Sequence, residues 1–366
     1  MDMRLALVSL VAGVTAAAPS SDGRLVPAVH MSTPRAVQTE TALADGTVII
    51  AGGCTNAGCE LGSPESDTAE LFDPATNRFT RVGRLHGSRD DHVAVLLRDG
   101  RVLLAGGWGA SPAGPLDTTE LYDPTTRSFS PGPRLDIGRA GMTAVRLRDG
   151  RVLLAGGFTG NKPTTASAEI FDPSTDTIMP TGRMTVPRGG QPATLLRDGR
   201  VLVAGGMSNG RVVASSELYD PATGRFTRTG RMRIARYKTA GVTLGNGRVL
   251  IIGGSADIDG TRLFASTELY DPKTQRFTAG PAMRYPRYKL TGSTVPLPNG
   301  DVLVAAGALQ VELYVARSRT FRLVPGKLDH TRLFLTAAAL PGGRALLAGG
   351  YDKAIRPTAA TWIYRR

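Results

Sequence analysis

The sequence is poor in cysteine, histidine and aromatic residues. Among 366 residues it has two cysteines, Cys54 and Cys59, four histidines and 6% aromatic residues. No histidine or third cysteine lies near the cysteine pair in the sequence, so a metal site of the usual ligand spacing is not indicated. We therefore expect no metal and no other cofactor. The apolar run near the N-terminus, at residues 5–14, is too short to span a membrane, and no other run is long and apolar enough.

Acidic residues are scarce relative to basic ones. The chain has 31 Asp and Glu against 44 Lys and Arg, which gives a formal net charge of +13. Such an excess favours anionic partners, for example an acidic polysaccharide. Nucleic acid is not an expected partner, because the sequence has no run of Lys and Arg and no nucleic-acid motif. The arginines recur at equivalent positions of a repeat, which indicates that much of this charge lies on a solvated rim.

Glycine and proline, by contrast, are abundant and belong to an internal repeat. Residues 99–107 read Asp-Gly-Arg-Val-Leu-Leu-Ala-Gly-Gly, and they recur almost unchanged at 149–157 and 198–206. Asp-Gly is a strong hairpin-turn signal, and the apolar run after it predicts a buried strand. Looser copies occupy 45–53, 246–254, 299–307 and 342–350. Recurrence at a nearly constant spacing through the whole chain predicts a propeller, a solenoid or an array.

Each repeat unit is predicted to contain four strands. In the second unit these are residues 93–97, 101–105, 119–124 and 128–130. The third strand carries Glu-Leu-Tyr-Asp-Pro or a close variant in five units, and the Asp-Pro pair marks the turn after it. The Gly-Gly doublet, this third strand and the aromatic residue after it closely resemble the kelch repeat over residues 22–366. The resemblance implies an all-β fold, a seven-bladed β-propeller of four-stranded antiparallel blades.

The two ends of the chain complement one another. The chain stops just after the third strand of the seventh unit, residues 362–364, so that unit lacks a fourth strand. Residues 24–26 align with the fourth-strand residues 78–80 when the Asp-Gly turns of the first two units are superimposed. We therefore expect the N-terminal strand to close the last blade, which leaves no open side in the ring. The kelch resemblance implies the same closure.

The N-terminal segment 1–18 differs from the repeats. Arg4 is followed by an apolar run at 5–14 and by small residues at 15–18, which predicts a secretory signal peptide. Residues 19–366 are then the propeller domain, and the protein is expected to be exported to the periplasm, the cell envelope or the medium. In an oxidising compartment Cys54 and Cys59 are expected to form a disulfide, the alternative being two free thiols.

An arginine occurs in each connection between the fourth strand of one unit and the first strand of the next. Seven arginines at equivalent positions of a ring would line one mouth of the channel and bind carboxylate, sulfate or phosphate groups. Alternatively, each pairs with the glutamate of a nearby third strand, which six units have and the seventh lacks. The arginines are Arg35, Arg89, Arg139, Arg188, Arg236, Arg287 and Arg332. The glutamates are Glu70, Glu120, Glu169, Glu217, Glu268 and Glu312.

Two of these arginines begin a basic–aromatic–basic triplet. The sequences Arg236-Tyr237-Lys238 and Arg287-Tyr288-Lys289 occur in successive units. Aromatic faces beside cations suit a sugar or an anion, so we add Tyr237 and Tyr288 to the seven arginines as predicted ligand-binding residues. The triplets equally suit packing between blades, with the lysines in solvent.

One connection has a local similarity to an enzyme family. Residues 89–92, Arg-Asp-Asp-His, resemble a segment of the copper radical oxidases of the galactose oxidase type, which also use a seven-bladed kelch propeller. The resemblance implies an adjacent Tyr-His ligand pair, whereas Asp91 precedes His92 here. A second ligand histidine and a cysteine-modified tyrosine have no counterpart. Some kelch proteins are similar to sialic-acid epimerases, without a residue-level match in this chain.

These features favour a binding module over an enzyme. The expected ligand is a protein or an anionic carbohydrate, and a monomer is expected. The alternatives are a carbohydrate-active enzyme on the same fold and a structural scaffold in the cell envelope. No catalytic residue is predicted, because no Gly-x-Ser-x-Gly elbow is present and the neighbours Asp90 and Asp91 would point to opposite faces of a strand.

Overall fold

The computed structural model describes residues 23–59, 66–110, 114–160 and 162–366, and the predicted signal peptide at 1–18 lies outside these residues. Within the described ranges, the strands form seven four-stranded antiparallel sheets and one two-stranded hairpin. The first strand, β1 (Arg24–Pro27), belongs to the last sheet. Each four-stranded sheet is one blade of a propeller, as the repeat predicted.

In blades 1 to 3 the order of the strands in the sheet follows the chain. Blade 1 comprises β2 (Thr39–Ala42), β3 (Val48–Ala51), β4 (Ala69–Asp73) and β5 (Arg78–Arg81). Blade 2 comprises β6 (Val93–Leu96), β7 (Val102–Ala105), β8 (Thr119–Asp123) and β9 (Ser128–Pro131). Blade 3 comprises β10 (Thr143–Arg146), β11 (Val152–Ala155), β12 (Ala168–Asp172) and β13 (Thr177–Pro180).

Blades 4 to 6 repeat this arrangement, and blade 4 adds a hairpin that the sequence did not predict. Blade 4 comprises β14 (Ala193–Leu195), β15 (Val201–Ala204), β18 (Ser216–Asp220) and β19 (Arg225–Arg228), with the hairpin β16 (Met207–Ser208) and β17 (Arg211–Val212). Blade 5 comprises β20 (Ala240–Thr243), β21 (Val249–Ile252), β22 (Thr267–Asp271) and β23 (Arg276–Ala279). Blade 6 comprises β24 (Thr294–Pro296), β25 (Val302–Val304), β26 (Glu312–Val315) and β27 (Thr320–Leu323).

Blade 7 confirms the predicted closure. It comprises β28 (Thr336–Leu340), a 3-10 turn (Pro341–Gly343), β29 (Arg344–Ala348) and β30 (Thr361–Arg365). Its outer strand is β1, which pairs antiparallel with β30 so that Arg24 faces Arg365 and Pro27 faces Trp362. The first strands of all seven blades contact one another in a closed circle around the central channel.

The core lies between neighbouring blades. The second strand of a blade, for example β7, has all four residues buried. Ile49 and Leu71 of blade 1 pack against Val102 and Tyr122 of blade 2 in one apolar cluster. The ring of Tyr122 also lies 4.9 Å from the ring of Phe129 on the next strand of its own blade. Apolar burial across the blade boundaries thus holds neighbouring sheets face to face.

The Asp-Gly turns form as the sequence predicted. Asp99 Oδ1 accepts a hydrogen bond from the Arg101 backbone N–H at 3.0 Å. Gly100 has a φ of 93°, which an L-residue rarely adopts. Because the strands are antiparallel, these turns lie at one end of the channel, which we call the lower mouth. The connections that carry the seven arginines lie at the opposite end, the upper mouth.

Among the described residues, the structure has no helix with the length and apolar character needed to cross a membrane.

Candidate ligand-binding mouth

Six of the seven predicted arginines are buried in ion pairs with the third-strand glutamates, the pairing alternative of the sequence. Their side chains have at most 1% of their surface exposed, and the glutamates at most 3%. The guanidinium groups therefore present no surface to a ligand at the upper mouth. The pairs are Arg35–Glu70, Arg89–Glu120, Arg139–Glu169, Arg188–Glu217, Arg236–Glu268 and Arg287–Glu312.

Each pair ties together the segments that form the upper mouth. In blade 5, Arg236 donates hydrogen bonds from Nη1 to the carbonyl oxygens of Gly253 and Ser266, both at 2.9 Å. Glu268 accepts a hydrogen bond from the Arg233 backbone N–H at 2.8 Å. The arginine thus holds the loop between the second and third strands, and the glutamate holds the incoming connection. Burial is the main cause of the lowered Arg236 pKa, which the charge of Glu268 opposes.

In blade 7 the arginine of the connection, Arg332, pairs with an aspartate instead of a third-strand glutamate. Trp362 occupies the glutamate position of its third strand, opposite Leu347. The missing glutamate implied that Arg332 would be unpaired. Instead, Asp329, which lies three residues earlier, forms an ion pair with Arg332 at 2.5 Å. The Asp329 carboxylate is 40% exposed. This pair therefore lies nearer to solvent than the other six.

The second residue after each arginine forms a ring at the top of the channel, which we call the floor ring. All seven members have a left-handed backbone with φ between 49° and 62°. Backbone hydrogen bonds join neighbouring blades: Asp91 N–H donates to the Val37 carbonyl at 3.2 Å, and Gly141 N–H donates to the Asp91 carbonyl at 2.9 Å. The members are Val37, Asp91, Gly141, Gly190, Lys238, Lys289 and Phe334. Five of the seven members are not glycine, and a left-handed backbone costs free energy at such residues. Strained backbone of this kind is concentrated at functional sites in proteins.

The charged members of the floor ring gather around Phe334. Lys238 Nζ lies 4.4 Å from the centroid of the Phe334 ring, and Lys289 Nζ lies 5.3 Å from the same centroid. Lys289 Nζ also donates a hydrogen bond to Tyr351 Oη at 2.5 Å. Neither lysine is fully exposed. Asp91 interacts electrostatically with both lysines. The cluster therefore places two amines and one carboxylate against an aromatic surface.

Burial and mutual repulsion shift the pKa values of this cluster toward neutrality. Burial, followed by the charge of Lys238, lowers the pKa of Lys289 to about 7, and Asp91 opposes this effect. Burial also lowers the pKa of Lys238, against the attraction of Asp91 and Asp90. For the carboxyl groups, burial raises the pKa of Asp91 and, together with the charge of Asp91, raises that of Asp90 to about 7. Several shifted groups in one concave site are typical of a functional site.

Aromatic rings cover the opposite side of the floor ring. The rings of Phe158 and Tyr237 meet edge to face, with centroids 6.4 Å apart. Tyr237 lies over Gly190, where a Cβ atom would come within 2.5 Å of the tyrosine ring. The predicted residues Tyr237 and Tyr288 are each 7% exposed. Both tyrosines are therefore mainly packing residues whose ring edges border the mouth. Lys238 and Lys289 are only partly exposed, unlike the solvated lysines of the packing alternative.

Below the floor ring the channel contains a cavity of about 280 Å³. Glu40 projects into it and accepts a hydrogen bond from Thr336 Oγ1 at 2.7 Å. Burial raises the pKa of Glu40 to about 8, although this hydrogen bond opposes the shift. His92 Nε2 lies 2.8 Å from Thr39 Oγ1, and burial together with the charge of Arg89 lowers the pKa of His92 to about 3. The channel wall is thus polar but largely uncharged at neutral pH.

The cysteines form the predicted disulfide, Cys54–Cys59. Cys54 also forms a β-bridge with Ala36, the residue that follows Arg35. The disulfide therefore anchors the loop after the first Gly-Gly doublet to the rim of the upper mouth. Across the described ranges, no three His, Cys, Asp or Glu side chains are grouped so that they could hold a metal ion.

The lower mouth carries arginines that are largely paired or bound to backbone. Arg98 donates to the Arg148 carbonyl, and Arg148 donates to the Arg197 carbonyl, so that a belt of guanidinium groups crosses three blades. Arg101 pairs with Asp176 of the neighbouring blade at 2.8 Å. Part of the net positive charge of the protein therefore lies on this partly exposed rim of the lower mouth.

Comparison with known proteins agrees with the architecture. Residues 236–284 match the kelch motif. A solved structure described as a novel fungal alcohol oxidase of the AA5 family, in complex with copper, superimposes with a TM-score of 0.73 at 15% sequence identity. The alignment covers 93% of this chain and 76% of the oxidase chain, and at this identity the likeness concerns the fold alone. No curated protein sequence matches the chain significantly.

Seven four-stranded sheets in a closed ring define the chain as a seven-bladed β-propeller. The Gly-Gly doublets, the Glu-Leu-Tyr-Asp-Pro strands and the kelch motif matched at residues 236–284 support a kelch-repeat propeller.

Proposed function

We propose that this propeller is a binding module that holds an anionic carbohydrate at the upper mouth. The observation that supports the proposal is the lysine pair, Lys238 and Lys289, held over the ring of Phe334. A lysine ammonium group forms charge-assisted hydrogen bonds with a carboxylate or sulfate. The rings of Phe334, Tyr351 and Phe158 are 5–6% exposed, so they border the site with apolar edges against which a sugar would pack.

The predicted site residues then divide into two roles. Tyr237 and Tyr288 border the site through their ring edges, while their lysine neighbours contact the acidic group. The six arginines paired with glutamates support the site from beneath, because they fix the loops and connections from which the floor ring is built. In this proposal the six arginines do not contact the ligand, as the sequence interpretation had them do, but position the loops that carry the floor ring.

Export belongs to the same proposal. The disulfide is compatible with an oxidising compartment, where an acidic cell-surface or extracellular polysaccharide would be met. The net charge of +13 would draw such a polymer toward the protein. A monomer is proposed because the propeller ring closes on itself and needs no second subunit.

A copper oxidase is less well supported by the residues at the mouth. The seven floor-ring positions carry the amines of Lys238 and Lys289 and no histidine or tyrosine. Both cysteines form the disulfide, so neither is available to modify a tyrosine. His92 is preceded by Asp91, and its Nε2 is already in contact with Thr39. The residues present therefore do not fit a copper radical site.

Calorimetric titration at pH 6, below the Lys289 pKa of about 7, tests the proposal. A uronic-acid oligosaccharide is compared with its carboxyl-reduced, neutral analogue. Lys238→Met and Lys289→Met should each weaken binding of the acidic ligand by about tenfold or more, the usual loss for a charge-assisted hydrogen bond. Lys273→Met is the matched control, because Lys273 is exposed in a turn at the other end of the propeller.

Equal affinity for the acidic and neutral sugars would contradict the proposal, and so would an equal loss in the Lys273 control. If no saccharide binds to a folded protein, a protein partner becomes the better hypothesis.

A further inference from the structure

We propose that Lys289 is a nucleophilic amine that forms an imine with a carbonyl carbon of the bound ligand, and that the preferred ligand is a 2-oxo acid. The inference rests on the proposed function, because the carboxylate of the 2-oxo acid occupies the lysine site described above. It goes beyond that function in assigning a covalent step to one residue.

The surroundings of Lys289 are those that activate a lysine. A lysine becomes nucleophilic when it is desolvated or when it lies beside another cation, since both conditions favour the neutral amine. Lys289 meets both conditions: aromatic rings enclose its amine, and Lys238 lies over the same Phe334 ring. Its Nζ lies 5.0 Å from the Tyr288 ring centroid and 5.1 Å from that of Tyr351. The chain's other four lysines, Lys162, Lys273, Lys327 and Lys353, are exposed.

The two lysines are placed for different roles. Lys238 Nζ lies closer to the Phe334 ring than Lys289 Nζ does, and the charges of Asp91 and Asp90 oppose the burial that lowers the Lys238 pKa. Lys289 donates one N–H to Tyr351 Oη, and in its neutral form its lone pair remains available for attack. Lys238 would therefore hold the carboxylate while Lys289 attacks the adjacent carbonyl carbon.

The step balances without an oxidant or a metal. The Lys289 Nζ lone pair forms the C–N bond as the C=O π electrons move to oxygen, which takes a proton. The nitrogen of this carbinolamine loses one proton, and the hydroxyl takes one proton and leaves as water while the nitrogen lone pair forms the C=N bond. The resulting iminium then gives up its remaining N–H proton to become the imine. Asp91 and Tyr351 are the groups beside the amine that can pass these protons.

Reductive trapping tests the inference on the full chain. The protein is incubated with pyruvate and cyanoborohydride at pH 7, and the modified lysines are identified by peptide mass spectrometry. We expect Lys289 to be alkylated at least about tenfold faster than the four exposed lysines, because one unit of pKa difference changes the neutral fraction tenfold. Lys289→Arg should abolish this fast adduct and leave the slow surface reaction unchanged.

Two further measurements separate the site from nonspecific amine chemistry. Lys238→Met should slow the reaction of pyruvate more than that of hydroxyacetone, which has a carbonyl and no carboxylate. The fast adduct should be most rapid near pH 7, since carboxylate binding declines above this pH and the neutral amine is lost below it. Tyr288, Tyr351, Asp91 and Lys238 are the titratable groups that face Lys289, and of these Lys238 and Asp91 also affect its charge directly.

Uniform modification of all six lysines, or no adduct at Lys289 in a protein with native thermal unfolding, would overturn the inference. Failure of the proposed function gives a different result. In that case the carbonyl-free uronic-acid oligosaccharide also fails to bind, whereas failure of the covalent step alone leaves its binding intact.

Discussion

Arg236 Nε lies 3.2 Å from Glu268 Oε1, and the two side chains are 0% and 2% exposed. Removing one partner leaves an uncompensated buried charge, so Arg236→Ala should lower the free energy of unfolding by about 3–5 kcal/mol. Urea denaturation checks this value. Arg134→Ala is the control, because Arg134 pairs with Asp117 at the surface and should cost about 1 kcal/mol or less.

Variants of the Arg236–Glu268 pair also distinguish structural support of the mouth from direct contact with a ligand. Replacement of both partners by apolar residues, Arg236→Met with Glu268→Leu, should recover much of the stability lost in Arg236→Ala. If the double variant binds the acidic sugar normally, the arginine has no direct role. A loss of affinity at full stability would favour the direct-contact interpretation of the sequence.

Gly190→Ala should disturb the floor ring. Gly190 has a φ of 62°, and a Cβ atom would lie 2.5 Å from Tyr237 Cε2. Strained backbone and displacement of the ring should together cost about 1–3 kcal/mol, measured by thermal unfolding. At Gly87, where a Cβ atom meets nothing within 4 Å, alanine should change stability by less than about 0.5 kcal/mol. Equal effects at the two glycines would count against this account.

Removal of β1 should destabilise the whole ring. Deletion of residues 23–27 exposes the edge of β30 and removes Leu25, which is 5% exposed. Loss of a buried leucine alone costs about 2–5 kcal/mol, and the open edge invites association. Chemical denaturation and light scattering of the deletion variant, compared with a chain that begins at residue 23, measure both effects. Unchanged stability and a monodisperse sample would show that closure matters little.

Affinity for an acidic sugar should fall as the pH rises from 6 to 8.5. Lys289, with a pKa of about 7, loses its positive charge over this range, and Asp90, also near 7, gains a negative one. Both changes disfavour an anion, and neither affects a neutral sugar by charge. Titration calorimetry at the two pH values should therefore show a decline for the uronic-acid ligand only. The decline should be smaller in Lys289→Met, which has no amine to titrate.

Glu40 should make stability depend on pH in the opposite sense to an ordinary carboxylate. Its folded pKa is about 8, against a reference value of 4.5. Between these values the unfolded chain releases the proton that the folded chain keeps, so the stability contribution falls as the pH rises. Glu40→Gln should therefore gain stability relative to the wild type between pH 5 and pH 8. Parallel urea-denaturation curves for the two proteins across this window would contradict the shift.

Much of the fold could be predicted because its determinants are local and repeated. The Asp-Gly turns, the buried second strands and the Glu-Leu-Tyr-Asp-Pro strands recur in nearly the same letters, so each unit corroborates the next. Closure by Arg24–Pro27 followed from counting the strands of the last unit. The hairpin at Met207–Val212 was not predicted because its segment shares no residue pattern with the corresponding segments, where the residue after the Gly-Gly doublet forms only isolated bridges.

The candidate site could be predicted only in part. Val37, Asp91, Gly141 and Phe334 share one backbone conformation but no side-chain chemistry, so no residue pattern marks the floor ring. The available signal was position, two residues after each arginine. The arginines were conspicuous because they repeat, and they repeat because every blade needs the same clamp. A ligand-specific site on a symmetric ring depends instead on what differs between units.

The pairing of the first strand with the last also sets an order for biosynthesis. When synthesis or export proceeds from the N-terminus, β1 is made first, and its partner β30 exists only after all the other strands have been made. Contacts of such large sequence separation form slowly. Until then every intermediate has an unpaired strand and an incomplete circle. Translation that halts before β30 thus yields a chain whose ring stays open and whose β1 has no partner strand.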